Sequence, residues 1–212
     1  MKTTKKDKTY PLIGLGINLL IIVLEIIGFI IIFKDIGVDS FYYYTVNSNI
    51  LLFITSIIMC YYYVQIINNK KVKDSKVFSV FRYMSVLSVV LTFFVVLTVM
   101  APQYGFFNMI IDKSFFAHHL LCPILGLISF VLFEKYVFTN MDTFRSLYYT
   151  IAYSTILLLL NILKVMDGPY PFLRVYNQHI MVTLFWLVAI FGGAVCFSLV
   201  IRFLNKKFCL VK

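Results

Sequence analysis

Six long apolar runs, each about as long as a bilayer is thick, constrain this chain more than any other feature of it. They cover roughly residues 12–33, 44–67, 81–100, 116–133, 146–163 and 180–203. A helix needs about 20 apolar residues to cross the hydrocarbon core. The runs are continuously apolar and lack the alternation of a barrel strand, which selects helices. Val, Tyr and Thr are common in the third and fifth runs and would weaken a helix in water. In lipid the backbone must satisfy its own hydrogen bonds, and the helix wins. The expected fold is an all-α integral membrane protein, a six-transmembrane-helix bundle forming a single domain over residues 1–212.

Composition excludes the aqueous alternative. The chain is 61% hydrophobic and 13% charged, against about 45–50% and about 25% in soluble domains. A small globule buries only part of its apolar surface, so the bilayer must be the solvent. The net charge of +10 sits in short basic runs between the apolar segments. That pattern suits anionic lipid headgroups. The runs are too short and scattered for nucleic acid, which is not expected as a partner.

The basic start, Met1 to Lys8, looks at first like a signal peptide. The run that follows is longer than a signal core, and Lys34-Asp35-Ile36-Gly37 offers no small-residue cleavage site, so it reads as a retained first helix. With the N-terminus inside, fifteen Lys and Arg residues fall in inner stretches and only Lys34, Lys113, Lys164 and Arg174 in outer ones. The positive-inside rule then puts both termini in the cytoplasm. Cys60, Cys122, Cys196 and Cys209 form no paired motif, so they read as small hydrophobes; neither disulfide, metal site nor cofactor is expected.

An ionisable residue inside a span is costly and is a candidate for function. In this topology the polar residues gather in the outer half. Glu25 lies in the first helix. Thr45, Ser48 and Asn49 open the second, on one face by their spacing, with Asn47 elsewhere. His118 and His119 open the fourth, Asn161 lies near the outer end of the fifth, and His179 starts the sixth. Thr45 sits in a first turn where few helical carbonyls are available, so its hydroxyl is freer than most. Pro123 is expected to kink the fourth helix and free a carbonyl near residue 119. Glu25 either pairs with a histidine or is held neutral by desolvation. The inner halves hold mainly isolated Ser and Thr. The stretch Asp167-Gly168-Pro169-Tyr170-Pro171-Phe172-Leu173 reads as a rigid, non-helical outer turn.

Three segments, in order, carry a resemblance: Tyr44-Thr45-Val46-Asn47-Ser48-Asn49, His118-His119-Leu120-Leu121-Cys122-Pro123, and Tyr170-Pro171-Phe172-Leu173. Together on a six-helix chain they resemble the androgen-induced and androgen-dependent transmembrane threonine hydrolases, which cleave fatty acid esters of hydroxy fatty acids, and their bacterial six-helix relatives. The resemblance implies a multi-pass bacterial plasma-membrane protein. It implies a lipid-ester hydrolase acting on a fatty-acyl ester from the outer half of the bilayer. It places the nucleophile at Thr45 and the base at His118, with His119 as the neighbouring choice. Ser48, Asn49, His119, Glu25, Asn161 and His179 are then expected around the substrate. Three alternatives stay open, one of them a family member that retains the site but only binds a small ligand. His119 and His179 could ligate a b-type haem. A small transporter is the third, although no inverted repeat or paired broken helices are visible.

Overall fold

The computed structural model describes residues 8–70, 72, 75–112 and 115–210. Of the basic residues in the charge count, Lys2, Lys5, Lys6, Lys71, Lys73, Lys113 and Lys212 lie outside the described residues. Among the described residues the chain is helical and has no strands. In chain order the helices are α1 (Thr9–Asp35), α2 (Tyr44–Ile67), α3 (Lys76–Tyr104), α4 (Phe116–Phe133), α5 (Asn140–Arg145), α6 (Tyr148–Ile162) and α7 (Ile180–Phe208).

Five of these, α1, α2, α3, α4 and α7, are long and apolar enough to cross a membrane, the architecture of a multi-pass integral membrane protein. The expected fifth span is shorter than its apolar run. α6 has 15 residues, about 22 Å at the helical rise of about 1.5 Å per residue. Two local events cut it. A turn at Ser146 and Leu147 separates it from α5, and Lys164 takes a left-handed φ of 56° just past its end. α2 and α4 keep the bounds expected from the sequence, whereas α1, α3 and α7 run further at one or both ends.

α3 runs through the middle of the bundle and packs on α2, α4 and α7; α1 packs on α2 and α4. Leu52, Tyr83, Leu87, Phe130 and Ile201 form the centre of the core. The outer faces of α1 and α7 are apolar and exposed, as at Leu19, Ile30, Phe185 and Val188. An aqueous protein hides such residues; a chain with lipid as solvent does not.

Polar pins lie within this apolar frame. Arg82, expected among the surface cations of the inner end, is fully buried. Its Nε donates to Glu134 Oε1 at 2.8 Å, and Nη1 donates to Thr55 and Ser56, both at 3.1 Å. Nη2 donates to Asn18 Oδ1 at 3.1 Å and to Ser129 at 3.2 Å. One guanidinium therefore ties α1, α2, α3 and the end of α4 together, with all five of its N–H donors used. This corrects the expectation of isolated inner hydroxyls: Thr55, Ser56 and Ser129 converge on one cation. A second pin joins α3 to α7, where the Tyr83 hydroxyl donates to the Ser198 carbonyl and Ser198 Oγ meets Ser146 Oγ at 2.9 Å.

Candidate functional site

The end of the bundle that carries the start of α2, labelled outer from the charge distribution, contains two separate polar arrangements. The first begins at the N-terminus of α2. A helix start leaves backbone N–H groups without partners, and Tyr43, the residue before α2, supplies no side-chain cap. A phenol from 126 positions further along the chain takes that role: Tyr44 N–H donates to Tyr170 Oη at 2.9 Å. The Thr45 side chain and amide face the same oxygen. Burial pushes the Tyr170 phenol up to about 12, against the lowering pull of Thr45 and the Tyr44 N–H, so it stays protonated at neutral pH.

The turn that delivers Tyr170 is locked from several sides. Its rings stack, Tyr170 on Phe172 at 5.1 Å and 4° between planes, and Pro171–Leu173 forms a short 3-10 turn where a non-helical one was expected. Gly168 is required here, because a Cβ at that position would lie 2.7 Å from Leu173 Cβ and 2.9 Å from its carbonyl carbon. Asn161 donates to the Met166 carbonyl at 3.2 Å and accepts from Val175 N–H at 2.9 Å. It anchors this loop.

Thr45 and Tyr170 share a pocket enclosed by α2, α3, α6, α7 and the 171–173 turn. Its empty volume, open mouth included, is about 620 Å³. Leu91, Val95, Val96, Leu187, Ile190 and Phe191 make most of the wall apolar. The polar groups on it are few: Thr45, Thr92, Thr150, Tyr153, Ser154 and the phenols of Tyr44 and Tyr170. Several are already engaged. Tyr44 Oη meets Thr150 Oγ1 at 2.7 Å, and Thr92 Oγ1 meets Ser48 Oγ at 3.1 Å.

The expected common face of Thr45, Ser48 and Asn49 is present: all three are buried, while Asn47 turns back to the Phe41 and Tyr43 carbonyls. Ser48 supports the wall from behind rather than lining it. Asn49 marks the boundary between the two arrangements. Its amide donates to the Thr45 carbonyl at 2.8 Å and to the His118 carbonyl at 3.2 Å.

The second arrangement lies across α2 from the pocket. His118 Nε2 is 3.2 Å from Glu25 Oε2, with both side chains fully buried. The alignment is poor. Neither carboxylate oxygen, neither ring nitrogen and not Asn49 Oδ1 has a well-directed hydrogen bond, and Cys122 packs beside the pair. The imidazole fits only because position 28 is glycine: a Cβ there would lie 2.3 Å from His118 Nε2. The expected kink of the fourth helix takes the form of a π turn, Phe116–Leu121, immediately before Cys122 and Pro123.

The structure therefore brings His118 to Glu25 and Thr45 to Tyr170. Among the described residues it does not join the side chains of Thr45 and His118. Their backbones share Asn49 as a neighbour, whose amide donates to both carbonyls. His119 is equally occupied, with Nδ1 2.6 Å from the Met109 carbonyl and its ring stacked on Phe115 at 4.8 Å. His179 is exposed and caps α7, accepting from Met181 N–H at 3.2 Å. Glu25, His119 and His179 are not among the residues lining this pocket, and the two haem-ligand candidates each serve a local hydrogen bond.

The sequence reading missed Tyr170 as the neighbour of Thr45. It quoted the Tyr-Pro-Phe-Leu stretch, but no helical spacing relates residues so far apart. It also missed Glu134 and Asn18, whose one visible signal was a polar side chain at the inner end of an otherwise apolar run. Comparison with family models, curated proteins and solved structures returned no match.

Proposed function

We propose that this protein is a lipid-ester hydrolase of the membrane, with Thr45 as nucleophile. It has six spans, with α6 seated in a locally thinned part of the bilayer, and both termini in the cytoplasm. The observation that carries the reading is the placement of Thr45: it lines a mostly apolar pocket at the start of a helix. A fatty-acyl chain from the bilayer fits such walls, since they are as apolar as the lipid it leaves. The N-terminus of α2 supplies partial positive charge where an oxyanion develops. Attack by Thr45 on the ester carbonyl would give an acyl-enzyme that water then hydrolyses. The reading also agrees with the resemblance of the Thr45 segment and the Tyr-Pro-Phe-Leu stretch to the threonine hydrolases.

The test is ester hydrolysis by the purified full chain in nanodiscs, on long-chain fatty-acyl esters. Thr45→Ala is expected to lower turnover by about 10³-fold or more, as removal of a nucleophile does. It should also abolish labelling by a fluorophosphonate probe while leaving the melting temperature within a few degrees. Full activity in Thr45→Ala ends the mechanism.

A second reading keeps histidine as the base, and the π turn favours it. π turns are uncommon and concentrate at functional sites. If Phe116–Leu121 recoils to α-helical register, residues before it rotate by about 100°. His118 would then leave the slot at Gly28 and pass Asn49 toward Thr45. A dead His118→Ala beside an active Tyr170→Phe, both folded, is the result that selects this reading.

A further inference from the structure

The geometry points to Tyr170 as the proton relay of Thr45, taking the threonine proton and passing its own to the departing alcohol. This rests on the reading of Thr45 as an ester-cleaving nucleophile and assigns the group which that reading lacks. A threonine hydroxyl is a poor nucleophile until something accepts its proton, and neither histidine of α4 meets it here. Tyr170 is the polar group beside it: its oxygen accepts from the N–H of the adjacent Tyr44 at 2.9 Å, and Thr45 and Tyr170 line the same pocket.

The hydrogen-bond inventory supports a relay over a passive contact. A phenol has one O–H to donate and can accept from other groups. Tyr44 N–H already donates to Tyr170 at 2.9 Å, which fixes the oxygen at the mouth of α2. Thr45 lies beside the same oxygen, and the Tyr170 O–H has the Tyr153 hydroxyl and the open pocket before it. That is where the alcohol side of a bound ester would lie. The ring itself is held by Phe172 and by an edge contact with Tyr43, so the oxygen cannot swing away easily.

The step balances without any outside reactant. Thr45 Oγ bonds to the ester carbon, and the carbonyl electron pair moves onto its oxygen. As the tetrahedral intermediate collapses, the carbon–oxygen bond to the alcohol breaks. The Thr45 proton moves to Tyr170, and the Tyr170 proton moves to the leaving oxygen. The products are an acyl-Thr45 ester and a free alcohol, with Tyr170 again a neutral phenol. Water then runs the same relay in reverse, releasing the fatty acid and restoring Thr45. A group that never has to carry charge suits an apolar wall, where isolated charge is costly.

The relay makes a demand that mere support of the fold does not. An alkyl ester leaves as a strongly basic alkoxide and needs a proton; a nitrophenyl ester leaves as a weakly basic phenolate and does not. Turnover of Tyr170→Phe should therefore be compared on an alkyl ester and a p-nitrophenyl ester of the same long-chain acid, using the full chain in nanodiscs. The expected result is a fall in kcat of about 10²–10⁴-fold on the alkyl ester, with KM little changed, and a fall below about 10-fold on the nitrophenyl ester. Equal losses on both esters, or none, overturn the relay while an inactive Thr45→Ala keeps the hydrolase. The same leaving-group selectivity found in His118→Ala and absent from Tyr170→Phe also overturns it. A wild-type protein inert on both esters removes the proposed function and the relay with it. If Tyr170→Phe does not fold, a fluorinated tyrosine at 170 keeps shape and makes the phenol more acidic. The alkaline limb of kcat against pH should then move to lower pH, and an unmoved limb overturns the relay.

Discussion

The most demanding residue in this bundle is Arg82. A guanidinium in an apolar interior is tolerated only when every donor is matched, and here Glu134, Thr55, Ser56, Asn18 and Ser129 match it. Such a pair need not be stabilising compared with apolar residues of the same volume, but breaking one side of it is expensive, at about 3–5 kcal/mol. Arg82→Ala leaves Glu134 buried without its cation, so it is expected to lower unfolding free energy by that amount or to prevent accumulation. Urea or SDS unfolding in detergent measures it. A smaller penalty for Arg82→Met combined with Glu134→Gln would show that the cost lies in the orphaned charge. The Glu25–His118 pair contrasts with this pin. It is equally buried but poorly aligned, with open valences on both partners. A fully matched cluster reads as architecture; an unmatched one is where a rearrangement of α4 would start.

At the scale of elements, α5 is the piece whose stability depends most clearly on local chemistry. It has six residues, too few to hold by propensity, and it is built as a capping box. Thr139 Oγ1 accepts from Asp142 N–H at 3.3 Å, and Asp142 Oδ2 accepts from Thr139 N–H at 3.0 Å. Burial alone would raise the Asp142 carboxyl, but the Thr139 hydrogen bonds, Arg145 at 3.0 Å and Lys76 at 3.9 Å together hold it below the ordinary aspartate value. Because the folded value is the lower one, the ionised carboxylate stabilises the fold above the unfolded value of about 3.9. That contribution is lost as pH falls from there through the folded value. Melting temperature should therefore drop on acidification below about pH 4 in the wild type, and part of that drop should be missing in Asp142→Asn. Near neutral pH the substitution itself should cost about 1 kcal/mol, the usual worth of a cap. α5 also sets where α6 begins, so the short span and the cap are one design.

For the whole molecule the decisive question is topology. The six-span reading with both ends inside makes a definite labelling pattern. Val38 and Val165 are exposed in the loops next to α2 and after α6, and Val77 and Val137 are exposed at the opposite end. Single cysteines at 38 and 165, in a background freed of the four native cysteines, are expected to react with an impermeant maleimide from outside intact cells. Cysteines at 77 and 137 should react only after permeabilisation. Reaction of Val137→Cys from outside would mean that the chain does not cross as six spans, and that the Thr45 pocket opens on the wrong face. The pocket itself is a property of the whole bundle. Its walls come from α2, α3, α6 and α7, and none of those helices presents more than one side of it.

The sequence by itself determined that the chain is helical and that lipid is its solvent. Long continuous apolar runs admit one backbone solution in lipid, which is why α2 and α4 begin and end where the composition changes. It also determined the shared face of Thr45, Ser48 and Asn49, because three- and four-residue spacing on a helix is local geometry. What only the tertiary structure decided is which polar groups meet. The spacing that placed His118 near the outer end says nothing about its rotation, and a π turn with a glycine slot on α1 aimed it at Glu25. Tyr170 reaches Thr45 across 125 positions of chain by the folding of a proline-flanked turn over α2, and Arg82 left the surface because α1, α2 and α4 with its end supplied acceptors. Periodicity records one helix at a time, whereas a hydrogen bond between distant segments depends on how the helices pack.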